Sequence, residues 1–60
     1  MNEYVFVITY DNFTTSETRS ESMHVWSDTE RKAFESALEE AYCNVKNDEG
    51  LEKIELLYVI

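Results

Sequence analysis

Residues 3–10, EYVFVITY, are apolar on both sides of the strand they are expected to form. Successive side chains of a strand point to opposite faces, so Tyr4, Phe6, Ile8 and Tyr10 share one face while Val5 and Val7 share the other. Aromatic and β-branched residues without glycine or proline favour a strand here. Such a strand needs cover on both faces, and that is hard to arrange in a chain of 60 residues. A chain of this size makes one domain, residues 1–60, and buries only about 60% of the surface its unfolded form exposes. The usual staples are missing. Cys43 is the only cysteine and His24 the only histidine, so neither an intrachain disulfide nor a four-ligand structural zinc site can be built. Oligomerisation or a bound partner is the expected remedy.

The remaining segments supply three further elements. Residues 11–16, DNFTTS, carry side chains that bond to nearby backbone and predict a turn. Residues 18–26, TRSESMHVW, begin polar and end apolar, as suits an edge strand, with Met23 and Val25 on one face and His24 and Trp26 on the other. Ser27-Asp28-Thr29-Glu30 reads as a capping box that starts a helix from residue 28 to about 46. Within it Phe34, Ala37, Leu38, Ala41 and Val45 form one apolar stripe bordered by Ala33 and Tyr42. Asn47-Asp48-Glu49-Gly50 is expected to close the helix, with Gly50 as the left-handed residue. Residues 52–60 then form the last strand.

This order predicts an α+β fold: a small ββαβ unit with a three-stranded mixed sheet in the order 2-1-3 and one helix packed on one face. A hairpin followed by a right-handed crossover puts the most apolar strand in the middle. One helix, about 10 Å across, cannot cover both faces of a sheet about 14 Å wide. Phe6, Ile8, Ile54, Leu56 and Ile60 are assigned to the helix side, with Tyr4, Tyr10 and Tyr58 at its rim. Val5, Val7, Leu57 and Val59, extended by Trp26, are then expected to form an outer apolar patch that binds a partner, most simply a second copy of the chain.

Charge limits the function classes. The chain carries 13 acidic and 5 basic residues, a formal net charge of −8, so direct nucleic-acid binding and attachment to anionic membranes are not expected. Met1 is followed by a polar, acidic segment rather than an export signal, and a cytoplasmic location is expected. Glu35, Glu39, Glu40, Asp48 and Glu49 make an acidic surface suited to a basic protein, with nucleic-acid mimicry as one use of it. No enzyme is expected, since the helix carboxylates face water and Cys43 and His24 fall on distant elements. No cofactor or metal is expected either, because Asp48-Glu49-Gly50 lacks the spacing of a calcium loop. In size and acidity the chain is similar to the small inhibitors and accessory proteins encoded by phages and mobile elements. A structural or assembly subunit, acidic only for solubility, is the alternative.

Overall fold

The computed structural model describes residues 1–60 and has the expected element order. Strand β1 spans Asn2–Asn12, β2 spans Thr18–Ser27, helix α1 spans Glu30–Asn44 and β3 spans Glu49–Val59. The sheet order is β2-β1-β3. Both neighbours of β1 run antiparallel to it, so the sheet is antiparallel throughout rather than mixed. β3 does run in the direction of β2, but the two are not adjacent, and the sheet contains no parallel ladder.

The hairpin loop is built by side chains in place of glycine. Asn12 Oδ1 accepts from the amides of Thr14 and Thr15, both at 2.9 Å, and Ser16 takes a left-handed conformation with φ 64°. The helix cap is Thr29, whose hydroxyl accepts from the Lys32 amide at 3.2 Å. Ser27, the expected cap, is buried as the last residue of β2. The strand continues one residue further than the sequence pattern implied, to Ser27, and the cap moves on to Thr29. At the other end the left-handed residue is Asp48, with φ 70°, not Gly50. Gly50 is paired with Asp11 inside β3, where a side chain would meet the Phe13 ring at 3.3 Å.

The core lies between α1 and one face of the sheet. Tyr4, Phe6, Ile8 and Tyr10 from β1 and Met23 from β2 pack against Ala33, Ala37 and Ala41, with Val25, Val45, Leu51, Ile54 and Leu56 around them. The tyrosines at positions 4 and 10 are thus core residues rather than rim residues. The alanines recur every fourth residue, so the helix presents a row of methyl groups that lets large strand side chains fill the interlayer space. Phe34, placed centrally by the sequence pattern, stands at the margin with its ring edge-on to Phe6 at 6.4 Å. The buried stripe is therefore turned toward the alanine row.

Replacing Ala37 with leucine forces three extra carbons between layers that have no space for them, at a cost of about 1–3 kcal/mol. A domain this small has roughly 3–9 kcal/mol of stability in total. Ala37→Leu is expected to lower Tm by several degrees or more in a circular-dichroism melt, whereas Ser36→Leu, one residue away on the exposed side, leaves it nearly unchanged.

Candidate interaction surfaces

The strand registers decide which side chains share the outer face. Along β1 and β2, Val5 lies opposite His24, Val7 opposite Ser22, and Glu3 opposite Trp26. On β3 the ladder shifts twice, between Val5 and Phe6 and between Thr9 and Tyr10, which leaves Leu57 and Glu52 as extra residues. Each bulge inserts one residue and exchanges the faces of everything beyond it. Val5 therefore faces Tyr58, Val59 falls opposite Tyr4 on the helix side, and Ile60 exchanges backbone hydrogen bonds with Glu3.

Of the outer-face residues expected from sequence, Val5 and Val7 are placed correctly. Val5 is only 2% exposed, however, and forms the floor of the patch rather than its surface. Val59 lies on the other face, and Leu57 sits in the bulge without a partner on β1. Their places are taken by Tyr58 and Ile60, which had been assigned to the helix side. Trp26, Tyr58 and Ile60 are 63%, 52% and 65% exposed and lie in two adjacent rows across the sheet above Val5. The run Leu56-Leu57-Tyr58-Val59-Ile60 has no apolar–polar alternation. Its faces cannot be checked against periodicity, so the bulge leaves no local mark in the sequence.

The charged groups on this outer face are few. The Glu3 carboxylate accepts from His24 Nδ1 at 2.9 Å, Lys53 lies 3.9 Å from Glu55, and Asp11 is exposed at the far end of β1. The acidic surface is elsewhere. Glu39 and Glu40 are exposed on α1, where with Ser36 and Cys43 they line an open hollow of about 370 Å³. Glu35 lies 3.6 Å from Arg31 one turn away, and Asp48 is exposed in the turn before β3.

Glu49 does not belong to that surface, because its side chain is only 7% exposed and is used internally. The Arg19 guanidinium donates to both its oxygens, at 2.8 and 2.9 Å, and to the Asn44 carbonyl at 3.0 Å. The Lys46 amide donates to the same carboxylate at 3.0 Å. Arg19 also stacks 4.2 Å above the Tyr10 ring, and the Tyr10 hydroxyl donates to Glu21. One guanidinium thus ties β2, the helix C-terminus and the start of β3 together. The hydrogen bonds from Arg19 and the Lys46 amide pull the Glu49 pKa down to about 2, while burial, reinforced by Glu21, pushes Tyr10 up to about 12. Arg19 and Glu49 are 30 residues apart, so no local pattern announces the pair.

The thiol and imidazole are not brought together. Cys43 is exposed on the helix, whereas His24 lies on the opposite face of the sheet, opposite Val5. No group of three or more His, Cys, Asp or Glu side chains converges on one point. No helix is long and apolar enough to cross a membrane. No protein-family model, curated protein or solved structure matches the chain.

The depressed pKa of Glu49 has a definite sign. Its contribution to stability is present above the ordinary value of 4.5 and is lost as pH falls toward about 2. Glu49→Gln removes that contribution at neutral pH and removes its titration. The difference in urea midpoint between the native chain and Glu49→Gln is expected to be largest near pH 7 and to shrink steadily from about pH 4.5 down to about pH 2. A difference that stays constant over that interval would show that the bridge does not act on stability.

Proposed function

We propose that this chain is a non-enzymatic protein-interaction module that self-associates through its outer sheet face and presents its acidic helix to a basic protein. The observation that carries the reading is the grouping of Trp26, Tyr58 and Ile60 over Val5, three large side chains each more than half exposed. Tryptophan and tyrosine are the side chains most enriched where binding energy concentrates. A second copy is the occupant that charge favours. The chain as a whole carries −8, but the outer face holds only Glu3, Asp11, Glu55 and Lys53 besides His24, and Asp11 lies at the end of β1 away from Trp26, Tyr58 and Ile60, so two copies can approach there with little repulsion. A face of three strands offers about 400–500 Å² per copy, against roughly 800 Å² in a stable complex, so the association is weak and reversible.

Dimerisation through this face leaves both helices pointing outward. Each then displays Glu39 and Glu40 together with the exposed Glu35 and Asp48 to a basic surface. Occupation of a nucleic-acid-binding protein's basic groove, and hence inhibition of it, is the mode of action such a display supports.

Sedimentation velocity tests the self-association. The mass is expected to rise from 7.1 kDa toward twice that value as concentration increases from about 10 μM to about 1 mM. Tyr58→Asp and Ile60→Asp should hold the chain at the monomer mass with its circular-dichroism spectrum intact. A native chain that stays monomeric throughout would rule out this use of the outer face.

A further inference from the structure

The two edges of the sheet are not equivalent. β3 is interrupted by bulges at Glu52 and Leu57, the kind of irregularity that discourages a strand from adding to an edge. β2 is not interrupted. It pairs with β1 over ten consecutive positions, from Asn2↔Ser27 to Asp11↔Thr18, without a shift. It contains neither proline nor lysine, and its one arginine is turned inward to Glu49.

The hydrogen-bond phase shows which backbone groups are left at that edge. Glu3 exchanges both backbone bonds with Ile60, at 3.3 and 2.7 Å, and so faces β3. Backbone direction alternates along a strand, and the Asn12 amide accordingly donates the other way, to the Glu17 carbonyl at 2.8 Å. Tyr4, Phe6, Ile8 and Tyr10 are thus the β1 residues that bond to β2, through Val25, Met23, Glu21 and Arg19. The N–H and C=O groups of Ser20, Ser22, His24 and Trp26 point away from β1, at a two-residue spacing that matches an incoming strand.

We propose that the free edge of β2 is a strand-addition site for an extended lysine- or arginine-bearing segment of the basic partner. This inference rests on the interaction-module reading above and adds the place and manner of contact. Main-chain bonds to the four outward residues supply affinity, as in other cases of β-augmentation. Trp26 offers an apolar contact on the outer side. On the inner side stands the helix row Ser36, Glu40 and Asn44, set beside β2 by the bond from Asn44 Nδ2 to Glu21 at 3.3 Å. Lys32 begins that row, but Glu17, Asp28 and Glu40 are all exposed around the edge and leave the flank net negative. A second copy of β2 would set two such flanks against each other, whereas a basic segment neutralises one.

The test is amide exchange and chemical shift on the full 15N-labelled chain, titrated with a ten-residue peptide in which lysine alternates with threonine and valine. Saturable binding is expected, with at least about tenfold slower exchange at Ser20, Ser22, His24 and Trp26 and about tenfold weaker affinity in high salt. Ser22→Pro removes an outward N–H without touching the β1 ladder, so it should abolish binding while the spectrum stays folded. Shifts confined to α1 with no protection on β2 would overturn the proposal, as would protection of those amides in the free chain through β2–β2 pairing. Ile60→Asp separates the two readings: a monomer that still binds the peptide keeps the edge site, and one that loses only self-association locates that contact on the outer face.

Discussion

The structure depends on the packing of Tyr4, Phe6, Ile8 and Tyr10 against the row Ala33, Ala37 and Ala41. Large side chains on the strand and methyl groups on the helix are complementary, because the helix contributes almost no volume of its own and can lie close to the sheet. It is also the only covering element. A single helix sealing one face leaves the other face to its own side chains. There Val5 is closed over by its neighbours while Trp26, Tyr58 and Ile60 remain in water. The apolar surplus follows from the two-layer architecture of residues 1–60.

The bulges on β3 convert that surplus into a particular shape. Without the bulge, Leu57 would pair with Val5 and Val59 with Glu3, and both would lie on the outer face as a smooth aliphatic surface beside Val5 and Val7. With it, Tyr58 and Ile60 are the outward residues and Val59 lies toward the helix. The exchange replaces Leu57 with an aromatic side chain whose hydroxyl tolerates water and whose ring offers contact area. The same bulges blunt the β3 edge, so the regularity of β2 is the more conspicuous.

Much of this was legible in the sequence, for identifiable reasons. β1 pairs with β2 without a shift from Tyr4 to Tyr10, so the two-residue period of a strand placed each of those side chains on its correct face. Element order and strand order followed from the turn chemistry at Asn12 and from the position of the most apolar strand. The C-terminal faces were not legible, because the bulge at Leu57 breaks the two-residue count and a run of apolar residues holds no polar residue to reveal it. The cap was misplaced from Thr29 to Ser27 because both hydroxyl residues precede the helix, and the choice depends on where β2 stops pairing. Glu49 was read as surface charge because nothing near it in sequence reveals Arg19, and the pair exists only after β2 and β3 have each found β1.

The internal use of Glu49 also sharpens the distribution of charge. Glu49 and Arg19 neutralise each other at the end of the sheet where the helix terminates, and Glu3 is engaged with His24 on the outer face. The uncompensated acids therefore concentrate on the outward side of α1, in the loops and along the flank of β2. If acidity served solubility alone, an even distribution would serve as well. Here the part of the sheet face around Trp26, Tyr58 and Ile60 carries only Glu3 and its partner His24, and the regular free edge is bordered by carboxylates. On the proposed reading, repulsion between copies is least at the one and attraction for a cation-rich segment is strongest at the other, so the same net charge would separate self-association from partner binding in space.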